Sequence, residues 1–384
     1  MKIIKPFHTM HKLLDAMLHP ERRPNIVLRF VDRYLGIPLV VLLRLVNRKR
    51  KDVPATIRSI GLMGNSAIGD TVILSAAILD IRAKFPDARL VVFALGADCA
   101  DICCMIDGID SVVAVRMSQP LAAIKTIRRF GPFDIWIDCS PWARTNAIVS
   151  CFVPTAVRIG FATEGQHRHG LYDLTAEHGD DVHEVVNFRR LLACAGITGN
   201  HIPAITCPGS SATIRRIVMH VMSGGTAGAM KMWPEPYWVA LIDHVNSLDI
   251  PVVLTGSGRD REALGNLRKL CRNPNMIENA SGLLTLDKTR DMLASSYAVV
   301  SVDTGIMHLS AALNCRLLAL FGATSPQRWG PLNARAKALS SARDCSPCVS
   351  LGLEKGCATN TCMVELTPAA VMNELDGLIS HASS

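Results

Sequence analysis

The apolar positions fall into two blocks, separated by a stretch with little periodicity. Within each block, short aliphatic and β-branched runs alternate with longer segments whose apolar residues recur at helical spacing. In the front block this predicts strands at 57–63, 88–95, 111–115 and 133–138, with a further run at 156–161. Helices are predicted at 71–85 (stopped by Pro86), near 99–105, at 121–130 and at 183–195. In the rear block, strands at 217–221, 251–255, 298–302 and 316–321 alternate with helices at 236–247, 261–271, 286–294 and 306–313. Strands that are apolar on both faces belong to parallel sheets covered by helices on both sides. Residues 196–211 carry Gly, Pro and Ser and read as the linker. The pattern predicts an α/β chain of two doubly wound halves, whose ligands sit at the carboxyl ends of the strands.

The first 56 residues follow neither rhythm. Residues 1–25 are polar and lack the layout of a cleavable signal peptide. Residues 26–46 are apolar with Arg29, Asp32, Arg33 and Arg44 interspersed. The run at 37–43 is far shorter than the ~20 apolar residues a bilayer-spanning helix needs. It is followed by Arg48-Lys49-Arg50-Lys51. Residues 1–56 hold 12 Lys and Arg against 4 Asp and Glu, which accounts for the whole net charge of +8; the rest carries 29 of each. An apolar segment beside a basic cluster predicts an interfacial helix on an anionic membrane surface. A helix packed on the protein's own body is the competing reading.

Composition bounds the rest. A chain of 384 residues, 49% of them hydrophobic, suits two domains with cores of their own. Aromatics make up only 5%, with no stacking-rich basic motif, which argues against nucleic acid as a partner. Nine of the 13 cysteines lie scattered through the chain, as buried free thiols do in a reducing cytoplasm. The other four, Cys345, Cys348, Cys357 and Cys362, cluster. Four thiolates can hold a structural zinc; free or disulfide-forming thiols are the alternative.

Four stretches at expected strand ends carry candidate chemistry. Asp70 follows the first strand as either a helix cap or a general base. Lys231 stands in a loop before a helix, either solvated or set to meet a phosphate. Thr255-Gly256-Ser257-Gly258-Arg259-Asp260-Arg261-Glu262 lacks the spacing of the dinucleotide fingerprint, although its glycines and carboxylates suit a nucleotide. Ser301-Val302-Asp303-Thr304-Gly305-Ile306-Met307-His308 turns a buried strand into a helix whose N-terminus attracts phosphate. Gly305 there would admit a ligand close to the backbone.

Taken together, Ile68-Gly69-Asp70, Lys84-Phe85-Pro86-Asp87-Ala88, His183-Glu184, Lys231-Met232-Trp233-Pro234-Glu235, Asp303-Thr304-Gly305 through His308, Phe321-Gly322-Ala323-Thr324-Ser325-Pro326 and the Cys345–Cys348 pair resemble glycosyltransferase family 9, the lipopolysaccharide heptosyltransferases. The resemblance runs from about residue 57 onward. It implies a GT-B fold, two Rossmann-like domains facing across a cleft: an acceptor-side domain at 57–205 and a nucleotide-sugar domain at 206–384, behind the arm at 1–56. It implies an inverting transferase that moves a sugar, typically heptose from ADP-heptose, to a lipid-linked core acceptor without a catalytic cofactor, at the cytoplasmic face of the inner membrane. Asp70 then matches the general base, and Lys231, Asp260, Asp303, Thr304, Gly305 and His308 match the donor site. Ser75, Ala76 and the run from His220 to Ser223 depart from the family pattern. A non-catalytic nucleotide-sugar-binding protein of the same fold and a nucleotide-sugar epimerase are the other classes that fit.

Overall fold

The computed structural model describes residues 34, 36–46, 51–209, 213–224, 228–349, 357 and 359–380. The expectations for residues 1–33 and 47–50 lie outside these. The front lobe contains strands β1 (Ser59–Met63), β2 (Arg89–Ala94), β3 (Ser111–Ala114), β4 (Phe133–Asp138), β5 (Thr155–Ala162) and β6 (Leu174–Glu177). They form one parallel sheet in the order β3-β2-β1-β4-β5-β6. The rear lobe contains β7 (Ile214–His220), β8 (Val252–Thr255), β9 (Ile277–Asn279), β10 (Ser296–Val302), β11 (Leu317–Phe321) and β12 (Ala336–Ser340), in the order β12-β11-β10-β7-β8-β9. Each sheet therefore reverses direction beside its own first strand, between β1 and β4 in front and between β7 and β10 behind. Such reversals open a crevice at the strand ends.

The helices are α1 (Gly36–Val46), α2 (Ile68–Lys84), α3 (Ala97–Cys103), α4 (Pro120–Arg128), α5 (Arg144–Cys151) and α6 (Glu184–Ala193), then α7 (Glu235–Ser247), α8 (Arg261–Leu270) and α9 (Leu286–Ala294). They continue with α10 (Gly305–Ala312), α11 (Pro326–Trp329), α12 (Thr361–Glu365) and α13 (Pro368–Ser380). The central strands are apolar and buried over most of their length, as at Ile60, Leu62, Val299, Val300 and Val302. The edge strands β6, β9 and β12 escape the sequence pattern because they pair on one side and bury few side chains. Helix α5 escapes it because its first turn, Arg144-Thr145-Asn146, is polar yet buries Arg144 and Asn146.

The lobes touch through α2 and α10. A Cβ on Gly305 would lie 2.8 Å from Cγ2 of Ile68, and one on Gly69 would lie 2.8 Å from Cδ2 of His308. Two helix starts thus meet where neither has a side chain to keep them apart. The linker is tied to both lobes: Thr206 N–H donates to Met105 O at 2.8 Å and Ile205 N–H to Ala312 O at 3.2 Å.

Candidate active site

Asp70 does not sit in the loop after β1, as the pattern suggests, but in the first turn of α2. Thr71 closes that turn by donating from both N and Oγ1 to Ala67 O, so the helix begins three residues early. A carboxylate in a first helical turn is ordinarily stabilised by the helix dipole. Here burial raises the Asp70 carboxyl to about 7, with Glu184 adding to the rise, Arg328 and Lys231 opposing it, and Asp303 adding again. The two acids and the loss of water outweigh two cations.

Glu184 starts α6 and is buried. Burial would raise its carboxyl, but His178, Arg328 and Asn187 together hold it below the usual carboxylate range. His178 Nε2 lies 2.8 Å from Oε1, Asn187 Nδ2 donates to Oε2 at 3.1 Å, and Arg328 Nη2 lies 3.6 Å from Oε2. Two neighbouring acids are therefore driven apart: Glu184 keeps its charge while Asp70 exchanges a proton near neutrality. That split is how a site assigns a base. The sequence shows Glu184 only as half of the His183-Glu184 pair; its partner Arg328 comes from the rear lobe and carries no local signal.

Asp70 and Glu184 border a cavity of about 410 Å³ that also touches Asn65, Arg116, Trp142, Asn146, Arg328 and Trp329. Its floor is stiffened by a network at the end of β4. Asp138 Oδ2 accepts from Arg168 Nη2 at 2.7 Å and from Tyr172 Oη at 2.6 Å; Oδ1 accepts from Ser140 Oγ at 2.9 Å. Asn146 Nδ2 in turn donates to Ser140 Oγ at 2.8 Å. Asp138 and Arg168 are wholly buried, and a buried ion pair of this kind fixes geometry more than it adds stability.

In the rear lobe, Lys231 Nζ lies 2.9 Å from Asp303 Oδ2, which also accepts from Thr324 Oγ1 at 2.7 Å; His308 Nε2 is 3.9 Å from Oδ1. Burial pushes the Asp303 carboxyl up, yet Lys231, His308 and Thr324 together hold it below its ordinary value. Burial drives the His308 imidazole down to about 4 against the pull of Asp303, so His308 is neutral. Thr304 caps α10 through its Oγ1, which accepts from Met307 N–H at 3.4 Å. The side-chain position of Gly305 faces Ile68 of the front lobe, so the packing of the two helices also requires the missing side chain there. His308 likewise packs over Gly69 at this junction.

Lys231 is held from behind. Trp233 is buried and donates from Nε1 to Leu366 O at 2.7 Å, and Asn360 Nδ2 donates to Met232 O at 2.7 Å. The registers His220↔Thr255 and Ser301↔His220 align the ends of β8, β7 and β10. Asp303 follows β10. His220 ends β7 and bonds Thr255 Oγ1 through Nδ1 at 2.9 Å. Asp260 stands past the end of β8, where its Oδ2 accepts from Ser257 N and Oγ, both at 2.7 Å. Asp260 is thereby the acid of a capping box. Glu262, the other carboxylate of that stretch, is exposed on α8.

Of the two readings of the cysteine cluster, the described residues show free thiols. Among the described residues no group of three or more His, Cys, Asp or Glu is arranged to hold a metal. Cys362 is buried, with Sγ against Gly322, while Cys345 and Cys357 are exposed. Burial raises the Cys362 thiol, and the other three cysteines add to the rise. The loop instead docks on the end of β11: Cys348 N–H donates to Ala323 O at 2.9 Å and Ser346 Oγ to Gly322 O at 2.6 Å.

Doubly wound lobes meeting at their strand ends are the GT-B architecture. A carboxyl raised to about 7 lies near a helix start, a place where anions are stabilised. Comparison with known proteins agrees. The sequence model of glycosyltransferase family 9 (heptosyltransferase) matches residues 122–359, more than half of the chain. Lipopolysaccharide heptosyltransferase 2 of Salmonella typhimurium is 23% identical over 356 residues, covering 83% of this chain and 98% of that one. The solved structure of E. coli ADP-heptose lps heptosyltransferase II superposes with a TM-score of 0.70 at 21% identity, over 85% of this chain and 100% of that one. An E. coli heptosyltransferase solved with ADP gives 0.67 at 18% identity, over 83% and 99%. The chain belongs to glycosyltransferase family 9, and it is a glycosyltransferase.

Proposed function

We propose that the enzyme transfers heptose, with inversion, from ADP-heptose to the inner core of a lipopolysaccharide acceptor at the cytoplasmic face of the inner membrane. The raised carboxyl of Asp70 on the wall of the front-lobe cavity carries this reading. The relatives named above, lipopolysaccharide heptosyltransferases and a structure with ADP, support the sugar, the acceptor and the nucleotide.

The acceptor occupies the cavity beside Asp70, and the donor diphosphate lies over Lys231 and the start of α10. Asp70 takes the proton of the acceptor hydroxyl as its oxygen bonds to the anomeric carbon. The bond from that carbon to the diphosphate breaks on the opposite face, which inverts the centre. Charge accumulates on the departing ADP, where Lys231 and the free N–H groups of α10 stabilise it. Asp303, ionised and held by Thr324, fixes the Lys231 ammonium before the donor arrives. The cross-lobe contacts exclude water while the base and the leaving group are in line.

The test uses purified enzyme, ADP-heptose and a delipidated inner-core acceptor, with release of ADP as the signal. Replacing Asp70 by Ala is expected to lower kcat by about 10²–10⁴-fold, the usual contribution of a general base, with donor affinity nearly unchanged. Turnover close to that of the parent enzyme would reject the base. No transfer from ADP-heptose to any core acceptor by the parent enzyme would reject the substrate assignment.

A further inference from the structure

Helix α1 packs one side on the front lobe and leaves the other apolar. Val40 is 1% exposed and clusters with Ala147, Leu171 and Tyr172, while Leu43, Ile148 and Cys151 pack against that cluster. The stem of Arg44 lies over Gly170. The packed residues Gly36, Val40, Leu43 and Arg44 share one helical face, as their spacing requires. The opposite face presents Pro38, Leu39, Val41, Leu42 and Leu45, with Tyr34 at its start; Leu42 is 58% and Leu45 54% exposed. Not one of these outward residues is charged or carries an amide. A helix docked on a soluble body ordinarily turns polar residues outward, so an all-apolar outward face calls for a cover.

Charge identifies the cover. The arm that carries α1 holds the whole positive excess of the chain, and Arg48-Lys49-Arg50-Lys51 follow the helix directly. Aliphatic side chains beside a basic cluster complement an anionic lipid surface: the leucines enter the acyl boundary and the cations meet headgroups. Among the described residues no helix is long and apolar enough to cross a membrane, and the 11 described residues of α1 reach about 16 Å against a hydrocarbon core of about 30 Å.

We infer that the outward face of α1 is a monotopic docking surface for an anionic bilayer, and that it holds the front lobe against the membrane carrying the acceptor. The placement fits that role. Helix α1 packs on α5, and the first turn of α5 supplies Asn146 to the acceptor cavity. The anchor therefore acts on the acceptor-side lobe, and the donor lobe stays free to meet its soluble nucleotide-sugar. This rests on the lipid-linked acceptor proposed above.

The experiment sediments the full chain with vesicles of phosphatidylethanolamine and phosphatidylglycerol, and with phosphatidylcholine vesicles, at low and high salt. A Leu42→Asp/Leu45→Asp variant is compared, with its melting temperature checked against the parent. The parent is expected to bind the anionic vesicles, more weakly at high salt and hardly at all to phosphatidylcholine. The variant should bind at least about tenfold more weakly, given two leucines removed from the lipid boundary. Both proteins should turn over a delipidated acceptor within about twofold of each other, since neither leucine lines the site. Equal vesicle binding by the folded variant would overturn the inference, as would a parent that ignores anionic vesicles. A concentration-dependent dimer that the variant loses, without vesicle binding, would assign the face to a second copy. Vesicle binding without any turnover of core acceptors would instead overturn the substrate reading and leave the docking surface standing.

Discussion

Asp70 places an acid where ionisation is costly, and that cost is measurable apart from catalysis. Its folded value of about 7 lies above its ordinary 3.8. Both folded and unfolded chains bind this proton below about pH 4, so the position costs nothing there. Between about pH 4 and 7 the unfolded chain releases a proton that the folded chain retains, so stability falls across that window and levels off above 7. Asp70→Asn removes the ionisation and should stabilise the protein by up to about 4 kcal/mol at pH 8, the cost of moving the carboxyl from 3.8 to about 7. The gain should shrink toward zero at pH 4, read as the difference in melting temperature between variant and parent. In the parent, kcat/KM should rise with pH through about 7 and level off, because only the ionised carboxyl accepts a proton. A melting difference independent of pH would mean that Asp70 is not held protonated.

At the scale of elements, the contact of α2 with α10 depends on two missing side chains. Gly305→Ala puts a methyl group 2.8 Å from Ile68 Cγ2 and 2.9 Å from its Cβ, both across the lobe boundary. Overpacking of this kind costs about 1–3 kcal/mol, and the helix start proposed above to meet the diphosphate must shift with it. The variant should melt lower and lose about tenfold in kcat/KM, the scale of a small misplacement of reacting groups. Gly377→Ala in α13 is the control, because its Cβ would meet nothing within 4 Å; there the better helix propensity should add about 0.5–1 kcal/mol. If both substitutions behave alike, the lobe contact is not tight at Gly305. The sequence marks Gly305 as a strand-to-helix turn but not as a contact point, since Ile68 is its neighbour only in three dimensions.

At the scale of the whole molecule, the Asp70 carboxyl is tuned from both lobes. Glu184 of the front lobe raises the Asp70 carboxyl, while Arg328 and Lys231 of the rear lobe lower it. His183 Nε2 spans the boundary to Gly330 O at 3.0 Å, and Arg328 reaches Glu184. Glu184→Gln keeps the shape but removes a negative charge facing Asp70. The acid limb of the kcat/KM profile should therefore move to lower pH, a shift that loss of packing alone would not give. An unmoved limb would place Glu184 outside the electrostatics of the base.

Periodicity alone determined the two doubly wound lobes, because fully buried parallel strands must be apolar along their length and their helices amphipathic. Strand β4 and helix α9 begin and end where the pattern puts them. The order of polar loops at strand ends likewise marked Asp70, Lys231 and Asp303, since function in such sheets is confined to those ends. The sequence could not decide what each marked residue faces. Burial raises the Asp70 carboxyl first, and Glu184, some hundred residues away, and Arg328, farther still, then tune it with opposing charges at one cavity. Gly305 meets Ile68 of the other lobe, Asp260 caps a turn, and the outward face of α1 appears only once Val40 has found its place against α5. Proton affinity and contact depend on distance in space, and the packing of the two lobes sets those distances.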